Sequence, residues 1–153
     1  MRRELATPKD THEFGADLAS ILVPGDLLVL SGELGAGKTA LTQGIGAGLD
    51  AVGAITSPTF IIARVHRGRI PLVHVDAYRL SGVEELDDLD LDVSLEESVT
   101  VVEWGAGLAE RLSDAYLLIE LVRRDDDVRE VEISGHGGDW RERLMQWEAG
   151  ATC

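Results

Sequence analysis

The residues Gly32-Glu33-Leu34-Gly35-Ala36-Gly37-Lys38-Thr39 follow the apolar run Leu27-Leu28-Val29-Leu30. A Gly-x-x-x-x-Gly-Lys-Thr string set between a strand and a helix is a phosphate cradle. Glycines let the backbone curl until several N–H groups point at one phosphate, and the helix that follows adds the positive end of its dipole. The backbone of Glu33, Leu34, Gly35, Ala36, Gly37, Lys38, Thr39 and Ala40 is expected to line that cradle. Lys38 would hold the outer phosphates of a nucleoside triphosphate, and the Thr39 hydroxyl would hold Mg²⁺. The plainer alternative is a glycine-rich turn that binds nothing. A strand before the string and a helix-compatible stretch after it favour the cradle.

Such a site needs a second acid, because Mg²⁺ is held by the loop hydroxyl together with a carboxylate at the end of another strand. Two positions compete. Asp76 ends the apolar run Leu72-Val73-His74-Val75, and Glu103 ends Val101-Val102, so each can stand at a strand's carboxyl end beside the phosphates. One could take the metal while the other orients the attacking water or acceptor; the residues alone do not rank them. His74, two residues before Asp76, shares a strand face with it. A zinc site wants three or four protein ligands, and no third nitrogen or sulfur ligand is near, so a packed or hydrogen-bonded histidine is the preferred reading. In Thr56-Ser57-Pro58-Thr59-Phe60 the hydroxyls of Ser57 and Thr59 can sense a γ-phosphate or its metal, as switch loops do; an ordinary proline-stiffened loop is the alternative. Arg79 could answer transition-state charge or pair with Glu84 or Glu85 at the surface.

These residues require a scaffold of alternating strands and helices. Asp10 or Thr11 is expected to cap a first helix whose Phe14, Leu18, Ile21 and Leu22 share one face, with Pro24-Gly25 stopping it. Strand Leu27 to Leu30 then delivers the loop. The next helix carries Leu41, Ile45 and Leu49 at helical spacing, although Gly44, Gly46 and Gly48 each weaken it by roughly 1 kcal/mol relative to Ala. Phe60 to Val65 and Ile70 to Val75, joined by His66-Arg67-Gly68-Arg69, read as a hairpin. Ser81 and Glu84 form a capping box opening an acidic helix through about Leu89. Thr100 to Val102 is a buried strand, Ala115 to Val122 and Val128 to Ile133 bracket Asp125-Asp126-Asp127 as a second hairpin, and Asp139 caps a last helix with Trp140, Leu144 and Trp147 on one face. The sheet is therefore expected to be mixed.

A length of 153 residues suits one domain. Fourteen basic against 28 acidic residues leave a net charge of -14, which repels polyanions and argues against tight nucleic-acid binding by this chain alone. The one cysteine, Cys153, leaves no internal disulfide, zinc cluster or redox pair, and points to the cytoplasm. No apolar stretch approaches the roughly 20 residues of a membrane span, and the amino terminus lacks a signal-peptide core.

Four strings in order, Gly32 to Thr39, Ser57-Pro58-Thr59-Phe60, His74-Val75-Asp76-Ala77-Tyr78-Arg79-Leu80 and Glu103-Trp104, carry a resemblance to the TsaE family, the small ATPase component of the bacterial machinery that makes threonylcarbamoyladenosine in tRNA. The resemblance implies a P-loop NTPase-like three-layer α/β domain over residues 1 to 153, with a mixed parallel and antiparallel sheet. It implies ATP and Mg²⁺ as cofactors, slow hydrolysis, and a complex with the transferase subunit (TsaD-like) and its paralogue (TsaB-like), so that tRNA is engaged only indirectly. Carried over by motif, Lys38 grips phosphate, Thr39 and Glu103 hold Mg²⁺, Asp76 assists hydrolysis, Thr59 belongs to the switch-like loop, and Trp104 stays near the site. The adenine would lie near Thr11 and Arg129. Gly105-Ala106-Gly107 and Ala77 depart from the family's usual residues.

Among rivals, a GTPase lacks its guanine-reading element, because the chain contains no asparagine. A small-molecule kinase would need an Arg-bearing lid, for which the acidic stretch Glu84 to Asp92 is poorly suited. A nucleotide-gated adaptor, in which hydrolysis is incidental, is the reading from a different class.

Overall fold

A computed structural model of the chain describes residues 1–32, 37–53, 63–76, 95–103, 114–126 and 128–151. Among these, seven strands form one sheet: β1 (Arg2–Leu5), β2 (Leu27–Ser31), β3 (Ala63–His66), β4 (Leu72–Asp76), β5 (Val99–Glu103), β6 (Tyr116–Arg123) and β7 (Arg129–His136), in the spatial order β1-β7-β6-β2-β5-β4-β3. Strands β6, β2, β5 and β4 run parallel, and β7, β1 and β3 add antiparallel pairings at the two sides. The mixed sheet and both hairpins agree with the sequence.

Parallel strands are buried on both faces and read as continuous apolar runs. β2 obeys this, with Leu27, Leu28, Val29 and Leu30 buried, and β5 nearly so, with Val99, Val101 and Val102 buried around a buried Thr100. Farther out, β6 alternates: Leu117, Ile119 and Leu121 are buried while Glu120 and Val122 are exposed. The face carrying Leu28, Val101, Leu117 and Ile133 holds the main core and is covered by α1 (Pro8–Leu18), α2 (Lys38–Gly48) and α3 (Trp140–Ala151).

The first helix begins earlier than its sequence cap suggested. Thr7 is the N-cap, with Pro8 at the first helical position; the Asp10 N–H donates to Thr7 Oγ1 at 3.1 Å while the Thr7 N–H donates to Asp10 Oδ2 at 3.2 Å. This reciprocal box satisfies two donors at once, and proline is pre-organised for the position it takes. Thr11 lies inside the helix, where its hydroxyl donates to the Thr7 carbonyl at 3.4 Å. Strand β1 had no sequence signal. The acidic helix expected from Ser81 falls outside the described residues.

In α3, Trp140, Leu144 and Trp147 are buried, as their spacing predicted, and Phe14 of α1 meets the Trp147 ring at 5.5 Å between centroids. A lock not seen in the sequence fixes this helix. Arg143 donates to Asp26 Oδ1 at 3.0 Å and Oδ2 at 2.6 Å, donates to the Ile21 carbonyl, and lies 4.0 Å over the Trp140 ring. The loop leading into β2 is thereby tied to the end of the chain.

Candidate functional site

Strand β2 ends at Ser31 and α2 starts at Lys38, so the phosphate-loop string joins a buried strand to a helix N-terminus, as its sequence required. Gly37 is the residue before that helix and has φ of 106°. A side chain is strained in this left-handed region, although the space around it would admit one: a Cβ there would meet Arg129 Cγ at 3.7 Å and Thr11 Cγ2 at 3.8 Å, ordinary contacts. Glycine is needed for conformation. The same geometry brings Thr11 of α1 and Arg129 of β7 to the loop's end, with the Thr11 methyl on that side.

The Lys38 side chain turns back along the loop. Its Nζ donates to the Gly32 carbonyl at 2.8 Å, and the residue is 7% exposed. An ammonium so enclosed requires oxygen partners, and the Gly32 carbonyl supplies one. Thr39 and Ala40 occupy the first turn of α2 and are partly exposed. Leu41 N–H donates to the Gly37 carbonyl at 3.0 Å, closing the first helical bond.

The two acids end neighbouring strands in register. Glu103 is the Cα partner of Asp76 on one side and of Leu30 on the other, which places it one strand from the mouth of the loop. Both carboxyl-end positions expected from the sequence are therefore brought to the edge of the sheet from which the loop departs. Glu103 is buried, and its Oε1 lies 3.1 Å from His74 Nε2, on a histidine that is itself fully buried. The sequence preference for a hydrogen-bonded His74 is met. Among the described residues, His74 Nδ1 has no hydrogen-bond partner.

What positions α2 is a set of glycines, Gly44 and Gly48 of its own, which the sequence presented only as weak points, and Gly15 of α1. A Cβ on Gly44 would lie 2.8 Å from the His12 carbonyl carbon and closer still to its oxygen; on Gly48 it would meet Ala19 Cβ at 2.5 Å and the Ala16 carbonyl oxygen at 2.7 Å; on Gly15 it would meet Ile45 N at 2.9 Å. The backbones of α1 and α2 touch, and only glycine permits that approach. Helix α1 thus rests directly on the helix that carries Lys38 and Thr39, which is how Thr11 reaches Gly37.

The family model described as "Threonylcarbamoyl adenosine biosynthesis protein TsaE" matches residues 5–131. The chain belongs to the TsaE family. Among TsaE relatives, the Streptomyces coelicolor protein named "tRNA threonylcarbamoyladenosine biosynthesis protein TsaE" is 56% identical over 137 residues, covering 84% of this chain and 93% of its own. The Bacillus subtilis protein of the same name is 39% identical over 132 residues, 85% of this chain and 82% of that one. In three dimensions the chain is similar to a crystal structure of Bacillus subtilis YdiB, with a TM-score of 0.82 and 29% identity, covering 99% of this chain and 95% of that one. The fold is thus the mixed-sheet P-loop type that the TsaE resemblance implied. Of the motif residues, Glu33 to Ala36, Ser57 to Phe60 with Thr59, Ala77 to Leu80, and Trp104 lie outside the described residues, as does the Asp76 side chain. No helix among the described residues is long and apolar enough to cross a membrane.

Proposed function

We propose that this chain is the Mg²⁺-dependent, ATP-binding and slowly hydrolysing component of the bacterial machinery that forms threonylcarbamoyladenosine in tRNA, acting on the transferase complex to permit repeated turnover. Family membership supports the pathway. The observation that carries the ATP reading is the loop itself: Gly37 in a left-handed conformation at the head of α2, with the enclosed Lys38 ammonium turned back onto it.

The donor set fits the metal. Thr39 offers a hydroxyl and Glu103 a carboxylate, and hard oxygen ligands of this kind suit Mg²⁺, which binds through one or two carboxylates and substrate phosphates. When bound, the metal neutralises charge on the outer phosphates. The chain's own residues do the rest. Lys38 exchanges the Gly32 carbonyl for phosphate oxygens, and the loop N–H groups cradle them. Asp76 orients the attacking water. Thr59 reports the γ-phosphate from its loop, and Thr11 and Arg129 flank the nucleotide beyond Gly37. Partners of the TsaD and TsaB type receive the result of the cycle, which explains how a chain of net charge -14 serves tRNA modification without gripping RNA.

The test is ATP hydrolysis by the chain alone and with those partners, assayed beside threonylcarbamoyladenosine formation over many turnovers. Hydrolysis should rise with the partners, and modification should stop after about one turnover when Lys38 is replaced, since the cycle depends on its phosphate grip. Modification that continues without this chain, or phosphate delivered to a small acceptor instead of water, would refute the reading.

A further inference from the structure

We infer that His74 is a positioning residue that holds the Glu103 carboxylate in the one orientation useful to the metal. The inference rests on the assignment of Glu103 to Mg²⁺. His74 stands opposite Val101 in the parallel β4–β5 pairing, and Glu103 stands opposite Asp76, so the Glu103 side chain reaches back two residues along the sheet to meet the imidazole. Both groups are enclosed: His74 is 0% exposed and Glu103 4%. With a carboxylate oxygen as the acceptor, the contact calls for the ring tautomer that carries its proton on Nε2 and donates it to Oε1. Nδ1 is buried and has no hydrogen-bond partner among the described residues, so Nε2 is the nitrogen with a partner there.

This bond divides the labour of the carboxylate. Oε1 is committed to His74, so the cation would be taken by Oε2. Mg²⁺ demands near-ideal octahedral geometry and keeps several waters, so a carboxylate fixed to present a single oxygen is better suited to it than one free to rotate. Loss of such an outer partner typically weakens metal affinity about 10- to 100-fold. A histidine retained only for packing would need no donor at Nε2, and a phenylalanine would replace it without consequence for the metal.

The experiment titrates Mg²⁺ into the full chain with a fluorescent ATP analogue and reads the concentration at half-maximal binding, beside binding in EDTA. His74→Phe should raise the Mg²⁺ requirement about tenfold with EDTA binding unchanged, while His74→Gln, which restores an N–H donor, should return it to within about threefold, the scatter expected of context-dependent hydrogen bonds. In a Glu103→Gln background, His74→Phe should add nothing further. Unfolding midpoints in urea establish that each variant is folded. Nitrogen NMR of the wild-type ring supplies a reading that needs no variant: a proton on Nδ1 instead of Nε2 overturns the inference. An unchanged Mg²⁺ requirement in His74→Phe, or effects of the two substitutions that simply add, overturns it while leaving Glu103 as a metal ligand. Silence of Glu103→Gln itself removes the metal assignment, and the role of His74 with it.

Discussion

Replacing Gly44 by alanine separates two physical accounts of the same residue. By helix propensity alone the substitution should stabilise α2 by about 1 kcal/mol, since glycine is the costlier residue in a helix interior. The structure predicts the opposite sign. The new Cβ would lie 2.8 Å from the His12 carbonyl carbon and closer to its oxygen, and these are backbone atoms of α1 that cannot swing aside. Overpacking of this kind costs about 1–3 kcal/mol, and a rigid obstacle places it in the upper half of that range. Subtracting the propensity gain leaves a net loss of about 1–2 kcal/mol. For a chain of this size that lowers Tm by about 2–8 °C.

Gly150→Ala in α3 is the matched control, because a Cβ there meets nothing within 4 Å. It should be neutral or slightly stabilising. Urea unfolding gives the midpoints and slopes of both variants, and titration with a fluorescent ATP analogue gives their nucleotide affinities. Separation of α1 from α2 moves Thr11 away from Gly37, so Gly44→Ala should also bind nucleotide more weakly, whereas Gly150→Ala should not. A Gly44→Ala protein as stable as the wild type would refute the claim that the two backbones are in contact.

Three further perturbations address other parts of the structure. Lys38→Met removes the ammonium that closes on Gly32 and should cost about 1.5–3 kcal/mol of nucleotide affinity, the worth of a charged hydrogen bond; calorimetric titration with ATP measures it, and unaltered affinity would exclude Lys38 from the phosphate site. Thr39→Val keeps the shape of the residue but not its hydroxyl. It should raise the Mg²⁺ concentration required for nucleotide binding while leaving metal-free binding intact, and an equal loss in EDTA would show a role unrelated to the metal. Arg143→Met leaves Asp26 buried without its guanidinium partner and should destabilise the fold by about 3–5 kcal/mol, whereas Arg2→Ala, which loses an exposed pair with Glu132, should leave stability nearly unchanged. Equal urea midpoints for these two variants would contradict the lock between α3 and the loop before β2.

How much was legible in the sequence depended on whether a feature is local in the chain. The phosphate loop is a contiguous stretch of backbone between one strand and one helix, so its residues announce it. The buried strands β2 and β5 are also plain, because a parallel strand covered on both faces is mostly apolar, and in β5 only Thr100 interrupts the valines before Glu103. Strand β1 is different: of Arg2, Arg3, Glu4 and Leu5 only the last is buried, and its place is fixed by pairing with β7, more than a hundred residues away. The start of α1 was misplaced by one turn because Asp10 serves the capping box from inside the helix, while Thr7 and Pro8 form its true beginning. The glycines of α2 were read as a local cost. Their benefit lies in α1, and no local window contains it.

The same division explains why strand patterning by itself does not rank the two acids. Asp76 and Glu103 end similar apolar runs, and strand periodicity tells only which face each residue takes. Glu103 forms a hydrogen bond to a histidine on the adjacent strand, and that bond requires the register of β4 against β5. Register is a property of the assembled sheet. The Gly32 to Thr39 string can therefore be read from one stretch of chain, whereas the proposed metal site is put together from strand ends that meet only when the sheet has formed. A substitution that shifted β4 by one residue would turn His74 to the other face and uncouple it from Glu103, leaving the loop residues from Gly32 to Thr39 unchanged in sequence.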